Sequence, residues 1–165
     1  MFREMRRKKQ RLPEKENEEI LKNGKTGILA VQGDDGYPYT VPVNYVYENK
    51  KIYFHCAMTG HKIDAIKRSD KVSFCVIDKD DINEKKLATN YRSVIVFGRA
   101  RIMDKETEKE DVYRALQAFG YKYIADHKAV DANIEEEWAP VACVEIRVEH
   151  CTGKEGLYLM RERGH

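Results

Sequence analysis

The sequence predicts a mainly β protein, a small six-stranded antiparallel barrel with helices packed on its outside. Apolar and polar residues alternate in about six segments, and turn sequences such as Gly33-Asp34-Asp35-Gly36 separate neighbouring segments. Only one long stretch, late in the chain, has strong helical spacing of its apolar residues. With 165 residues, the chain is expected to form a single domain over 1–165.

Composition excludes several classes of protein. Lysine and arginine total 30 against 28 acidic residues, so the net charge of +2 gives no general attraction for nucleic acid. No apolar run approaches membrane-spanning length, and the N-terminus lacks a signal-peptide core. The four cysteines form no Cys-x-x-Cys pair, which indicates reduced, buried side chains. We therefore expect a cytoplasmic protein with neither nucleic acid nor membrane as a partner.

The first elements are a basic arm and a short helix. Residues 1–12 are rich in lysine and arginine and poor in apolar side chains, which predicts a solvated arm. Such an arm could also reach a bound anion or a partner subunit. Pro13 then begins a helix over 13–23, with proline at its first position and Gly24 after its end.

The next segments predict a pair of strands on either side of the hairpin turn. A strand over 26–32 precedes the turn, and a second over 37–47 follows it. Two prolines in the second strand cannot donate to a ladder, so that strand is expected at an edge or bulged near Pro42. Its turn into the following strand would bring Pro42–Tyr45 beside Phe54–Ala57.

The second half of the chain alternates strands with one long helix. Further strands are predicted over 71–77, 91–103 and 141–148. Gly98 predicts a bulge or a tight bend in its strand. Residues 78–90 are charged and irregular and are expected to form a loop. Asp104 is predicted to cap a helix over 104–126, whose apolar residues recur at spacings of four, three and four.

The stretch over 52–66 carries the densest polar chemistry of the chain. Its first half predicts a strand, and its second half predicts a helix that begins at about Gly60. The junction Thr59-Gly60-His61-Lys62 combines a hydroxyl, a glycine that lets a ligand approach, unpaired helix N–H groups and a positive charge. This combination predicts a phosphate site. The alternative is an ordinary turn with a capping threonine and a solvated lysine.

A metal site is a further interpretation of the same cluster. It would use His55, Cys56 and His61 as ligands. No second group of ligands occurs elsewhere at a usual zinc spacing, so no metal site is predicted.

Five motifs run in order along most of the chain. They are Gly27-Ile28-Leu29-Ala30, Asp35-Gly36-Tyr37-Pro38-Tyr39-x-Val41-Pro42-Val43-x-Tyr45, Ile52-Tyr53-Phe54-His55-x-Ala57-x-x-Gly60-x-Lys62, Tyr91-Arg92-Ser93-Val94-x-Val96-x-Gly98 and His150-x-x-Gly153-Lys154. Together they resemble the pyridoxamine 5′-phosphate oxidase-like flavin-binding family. Within that family they are most similar to the nitroimidazole-resistance branch.

The resemblance implies a split barrel that forms a homodimer and binds FMN, rather than FAD, in a cleft between the two copies. It also implies that the flavin phosphate lies near the helix start and that backbone groups of two strands border the flavin ring. The cofactor-binding residues implied are Pro42, Val43, Asn44, Tyr45, His55, Cys56, Ala57, Thr59, Gly60, His61, Lys62 and Ser93. Asn44 and Tyr45 stand where the oxidase branch has basic residues, which argues against oxidation of pyridoxamine phosphate.

The implied function is an FMN-dependent oxidoreductase that reduces a small acceptor, such as a nitroaromatic or nitroimidazole compound. NADH or NADPH is a possible electron donor. One alternative is a non-catalytic flavin- or haem-binding redox module, and another is an oxidase of the pyridoxamine phosphate type. A nucleic-acid binder that uses residues 3–11 is a third, disfavoured by the small net charge.

His55 is the candidate catalytic residue. It lies on the strand face opposite Ile52, Phe54 and Cys56, so it would point outward if those three fill the barrel. Reduction of a nitro group consumes protons, and histidine can donate one near neutral pH. The alternative is a histidine that hydrogen-bonds a neighbouring carbonyl or packs on the flavin.

Overall fold

The computed structural model describes residues 2–164, so Met1 of the predicted arm and His165 lie outside the described residues. The helices are α1 (Glu14–Asn23), α2 (His61–Arg68), α3 (Lys109–Tyr123), α4 (His127–Glu136) and α5 (Leu157–Glu162). The strands are β1 (Thr26–Gln32), β2 (Pro38–Asn44), β3 (Val46–Glu48), β4 (Lys51–Ala57), β5 (Lys71–Asn83), β6 (Ala88–Ile102) and β7 (Val141–Glu155). The mainly β class with flanking helices is confirmed. Within this part of the chain, no helix has the length and apolar character needed to cross a membrane.

The seven strands form one open antiparallel sheet, not a six-stranded barrel. Their order is β2-β1-β5-β6-β7-β4-β3, so β2 and β3 lie at opposite edges although only Tyr45 separates them in sequence. Consecutive Cα atoms are about 3.8 Å apart, so a single linking residue can join the two edges only if they lie close together. The sheet therefore curls until its edges meet at Tyr45 without hydrogen-bonding to each other.

The expected strand over 37–47 is two strands because it breaks at Tyr45. The side chain of Tyr45 is fully buried, and its hydroxyl donates to the Leu21 carbonyl at 2.8 Å. The prediction that Pro42–Tyr45 lies beside Phe54–Ala57 was therefore wrong. Pro42 pairs with Ile28 of β1, and of the two strands β2 and β3 only β3 pairs with β4.

The main core lies inside the curled sheet, closed at one end by α1. The strands alternate inward and outward, as their sequence patterns predict. Inward residues of the strands include Leu29, Ile52, Phe54, Phe74, Val94, Val96 and Ile146. A second, smaller cluster lies between the outer face of the sheet and the helices α3 and α4. Its buried residues include Met103, Val112, Leu116, Val130, Ile134 and Cys143.

Residues 78–90 form a hairpin of two long strands rather than the expected loop. After an irregularity between Ile77 and Lys79, β5 and β6 remain paired as far as Asn83 and Ala88. Both faces of this ribbon are largely in water, as the 94% exposure of Leu87 at its tip illustrates. Because neither face is buried, no apolar alternation marks these strands in the sequence.

Two element boundaries differ from the prediction, and one predicted bulge is confirmed. The long helix begins at Lys109, because the Asp104 carboxylate instead caps a preceding turn by accepting from the Glu106 N–H at 2.8 Å. The bulge at Gly98 is confirmed by a register shift beside it, and a Cβ there would lie 2.4 Å from the Arg147 carbonyl oxygen. The strand β7 extends to Glu155 because its polar end stays paired with β6.

The end of the basic arm is docked rather than solvated. Gln10 and Leu12 are buried, and the Leu12 N–H donates to the Gly153 carbonyl at 3.0 Å. Near the start of the arm, Phe2 stacks on His150 with ring centroids 4.6 Å apart. The few apolar side chains of the arm are enough to hold it against the end of β7.

Candidate functional site

The end of β4 presents His55 on the outer face of the sheet, as predicted. Alternation along the strand buries Phe54 in the main core and leaves His55 exposed. The adjacent strand β7 places Cys143 opposite His55. The position of the imidazole is thus determined by the pairing of β4 with β7 rather than by a loop.

The imidazole of His55 packs against an aromatic ring of α3. Phe119 meets it edge-on, with ring centroids 4.6 Å apart and planes inclined by 77°. Burial on this side lowers the pKa of His55, so the imidazole is neutral at neutral pH. None of the hydrogen bonds within residues 2–164 involves its side chain, which leaves both ring nitrogens available.

His55 lines a cleft of about 390 Å³ between the sheet, α3 and α4. Its apolar walls are formed by Leu116, Phe119, Ile124, Val130, Ile134 and Val141. Asn133 and Glu137 add an amide and a carboxylate from α4 and its end. This cleft was not predicted from the sequence. The only signal was an apolar pair, Val130 and Ile134, four residues apart within a polar segment.

The start of α2 is open, as an anion site requires. Gly60 has φ of +120°, and a Cβ at this position would meet no atom within 4 Å. The N–H groups of Ile63 and Asp64 both donate to the Gly60 carbonyl, at 2.9 and 3.0 Å. The two preceding helical N–H groups have no partner inside the helix. A phosphate fits this backbone opening, beside which Thr59 is also exposed.

Lys62 places a positive charge beside this opening. The side chain is half-buried, and no ion pair in the described part of the chain includes it. It lies near the thiol of Cys56. Burial raises the pKa of that thiol, and the positive charge of Lys62 opposes the rise only in part. Cys56 is therefore a protonated thiol at neutral pH rather than a nucleophile.

His61 faces away from the opening. Its ring stacks on Tyr39 with centroids 4.0 Å apart, and its Nε2 lies 3.5 Å from Asp34 Oδ2. Only the backbone N–H of His61 remains on the side of the helix start. Over residues 2–164, no group of three histidine, cysteine, aspartate or glutamate side chains is arranged to hold a metal ion.

The predicted residues of the second strand lie around the break at Tyr45. The Asn44 amide donates to the Lys25 carbonyl at 3.0 Å, and both Pro42 and Val43 pair with β1. Two aromatic side chains of α3 form a chain of contacts between Tyr45 and His55, which begins with the hydrogen bond between Tyr45 and Tyr123. The ring of Tyr123 lies 5.1 Å from that of Phe119, which in turn contacts His55.

Comparison with known proteins identifies the family. The sequence profile of pyridoxamine 5′-phosphate oxidase matches residues 13–155. The chain belongs to this family, and the predicted resemblance is confirmed. No protein with a curated function matches the sequence.

Solved structures of low identity share the fold. A conserved hypothetical protein of Mycobacterium tuberculosis has a TM-score of 0.78 at 21% identity, over 98% of this chain and 94% of that one. A candidate 5-nitroimidazole antibiotic resistance protein of Bacteroides thetaiotaomicron has a TM-score of 0.69 at 22% identity, over 88% of this chain and 86% of that one. An FAD-binding protein of Mesorhizobium loti has a TM-score of 0.65 at 22% identity, over 88% of this chain and 96% of that one.

In this member of the pyridoxamine 5′-phosphate oxidase family, Ser93 lies apart from the other candidate residues. It pairs with Lys154 near the end of β7, whereas His55 pairs with Cys143 near its beginning. At about 3.3 Å per residue, roughly 35 Å of strand separates these positions. Ala57, by contrast, is exposed and follows directly on the His55 segment.

The protein also has a lysine, Lys122, whose partial burial was not predicted from the sequence. Lys122 of α3 donates to the carbonyl oxygens of Gly24 and Tyr45 and lies 4.4 Å from the centroid of the Tyr45 ring. Burial lowers the pKa of Lys122 to about 8. Together with Tyr123, it attaches the end of α3 to the break between β2 and β3.

Proposed function

We propose that this protein is an FMN-dependent oxidoreductase that reduces small aromatic acceptors such as nitro compounds. The arrangement from β4 to α2 carries the proposal, since an exposed imidazole beside an apolar cleft is followed by a helix start open to phosphate. Membership of the pyridoxamine 5′-phosphate oxidase family supports a flavin as the cofactor. The structural neighbours described as FAD-binding and as a nitroimidazole resistance protein support the same class of chemistry.

The residues of the chain would divide the binding between the two ends of the cofactor. Backbone N–H groups at the start of α2 and the Lys62 ammonium would hold the phosphate. Backbone groups of His55–Ala57 would border the ring system, and those of Pro42–Tyr45 would approach it from the opposite edge of the curled sheet rather than from a neighbouring strand. When bound, the flavin would carry two electrons from a donor such as NADH or NADPH to the acceptor.

His55 would hold and deliver a proton at the acceptor. Its free ring nitrogens lie at the edge of the cleft, while Phe119 restricts rotation of the imidazole. The close contact between Gly120 of α3 and Val130 of α4 would limit the access of water between the two helices. A proton donor oriented in this way contributes roughly 10²–10⁴-fold to rate.

A second copy of the chain would complete the site. The outer face of β5 and β6 carries the exposed apolar side chains Ile77, Ile95 and Phe97, which a partner copy would cover. Ser93 lies on this same face, next to Ile95 in the alternation of β6. A homodimer is therefore the arrangement in which Ser93 of one copy could approach the flavin of the other.

The absorption spectrum of the purified protein tests the proposal. We expect a flavin spectrum with one FMN released per chain, bleached anaerobically by NADH or NADPH and restored by a nitroaromatic compound. Protein that stays colourless after incubation with FMN and with FAD would refute the proposal. Release of FAD instead would correct the cofactor alone.

A further inference from the structure

We propose that the cleft beside His55 is the acceptor site and that it selects flat, uncharged aromatic compounds over anionic ones. This inference rests on the proposed function, because it names the substrate class of the same site. The shape of the cleft, the apolar character of its walls and the charges around it carry the inference.

The size and the walls of the cleft suit one or two aromatic rings. Its volume of about 390 Å³ lies in the range of small-molecule sites. The walls come from three elements that are packed tightly together. A Cβ at Gly120 would lie 2.3 Å from Val130 Cγ1, so α3 and α4 are in close contact beside the cleft. The ring of Phe119 gives a flat ligand an aromatic surface to stack on.

The charges around the cleft disfavour an anion. The lining includes one carboxylate, that of Glu137, and neither a lysine nor an arginine. Glu135 and Glu136 precede it at the end of α4 and are exposed to the same solvent. A carboxylate or phosphate ligand would thus be desolvated next to negative charge, without a cation to compensate it.

The polar groups of the cleft suit a neutral ligand with an acceptor oxygen. The Asn133 amide can donate a hydrogen bond to a nitro or carbonyl oxygen, and the imidazole of His55 lies in the same cleft. Because these two groups are few and the rest of the lining is apolar, orientation comes from them and binding energy from the walls.

A matched pair of ligands tests the selection. We would measure the affinity of FMN-loaded protein for 4-nitrobenzamide, which is neutral, and for 4-nitrobenzoate, by calorimetry without an electron donor. We expect the amide to bind roughly tenfold more tightly or better. Equal affinities, or preference for the benzoate, would overturn the inference.

Two variants locate the effect in the cleft. Glu137→Lys should tighten binding of 4-nitrobenzoate by roughly threefold to tenfold, whereas the neighbouring Glu136→Lys should change it little. Ala129→Trp places a large ring in the cleft from an exposed helical position, and it should abolish binding of both ligands while circular dichroism stays unchanged. Binding that survives Ala129→Trp would overturn the inference.

Flavin content, measured by absorbance on the same samples, separates this inference from the proposed function. If the protein takes up no flavin, the proposed function fails, and Ala129→Trp still decides whether the cleft binds 4-nitrobenzamide. If flavin is bound fully and the neutral ligand does not bind, the inference about the cleft fails while the proposed function stands.

Discussion

The hydroxyl of Tyr123 takes the place of a missing strand neighbour at Tyr45. It accepts from the Tyr45 N–H at 3.2 Å and lies 2.6 Å from the Tyr45 carbonyl and 2.8 Å from that of Lys25, to one of which it donates. Through this contact the end of α3 is held over the break between β2 and β3. The same helix carries Phe119, so the contact also positions one wall of the cleft.

Loss of this hydroxyl should destabilise the fold. Tyr123→Phe leaves the Tyr45 N–H without a partner, although Lys122 still donates to the Tyr45 carbonyl, at a cost of about 1–3 kcal/mol in the free energy of unfolding. For a chain of this size, the melting temperature should fall by roughly 2–4 °C per kcal/mol. Tyr37→Phe, at a residue that is 76% exposed, is the control and should change little. An unchanged melting temperature for Tyr123→Phe would mean that water replaces the hydroxyl.

Removal of the charge at the start of α2 should weaken cofactor binding without unfolding the protein. A charged hydrogen bond to phosphate contributes about 1.5–3 kcal/mol, so Lys62→Ala should bind FMN roughly 10- to 100-fold more weakly. Fluorescence titration of the apoprotein measures this affinity. Lys67→Ala, in the last turn of the same helix, is the matched control. Equal affinity in both variants would show that Lys62 is only solvated.

Replacement of His55 should separate catalysis from binding. We expect His55→Ala to keep FMN bound and to slow acceptor reduction by roughly 10²–10⁴-fold per flavin. His127→Ala, at the exposed start of α4, should react normally. Flavin loss with an unchanged rate per bound flavin would make His55 a binding residue instead.

The pH dependence of the reaction gives a second measure of the role of His55. Because burial lowers the pKa of His55, the protonated form accumulates only below the ordinary value of 6.5. If imidazolium is the donor, the rate per flavin should rise as the pH falls below that value. Rapid-mixing kinetics between pH 5 and 8 would show this rise in the wild type, and we expect a flat profile for His55→Ala.

Glu145 should make stability depend on pH in the acidic range. Burial alone would raise the pKa of this carboxyl, but hydrogen bonds from Arg101 and Lys51, both at 2.8 Å, outweigh it and the pKa is lowered. The carboxylate therefore stabilises the fold above the ordinary value of 4.5, and this contribution is lost as the pH falls through the lowered pKa.

The variant Glu145→Gln tests this dependence. At pH 7 it should lower the free energy of unfolding by about 1–3 kcal/mol, since both cations are partly exposed and can regain water. The difference from the wild type should shrink as the pH falls below 4.5. Urea unfolding at several pH values measures it, with the exposed Glu162→Gln as control. A difference independent of pH would rule out the ion pairs as its source.

A charge on the outer face of the sheet should separate the two copies of the proposed homodimer. We expect light scattering to give a dimer mass at micromolar concentration. Ile95→Glu places a carboxylate on the exposed apolar face of β6 and should shift the mass to that of a monomer. Thr107→Glu, in an exposed turn, should remain dimeric. A monomeric wild type with its flavin bound would exclude a cleft shared between copies.

Local patterns in the sequence were enough to predict the placement of several residues of the candidate site. The alternation that buries Phe54 exposes His55, and this depends only on the period of a strand. The open helix start at Gly60 likewise follows from a glycine before a helical segment. The bulge at Gly98 could also be predicted, because a glycine within a strand pattern indicates that a neighbouring backbone approaches closely.

Only the tertiary structure decided where strands end and what faces His55. The break at Tyr45 depends on Tyr123, which is 78 residues away, and no local pattern records such a contact. The paired strands beyond Ile77 were not predicted, because both of their faces are solvated and their sequences therefore show no apolar alternation. The cleft exists only because α3 and α4 pack beside His55, and the pattern of α3, although clearly helical, does not show which strand that helix packs against. Periodicity reports which face of an element is buried, whereas the partner that buries it is chosen by contacts between distant segments.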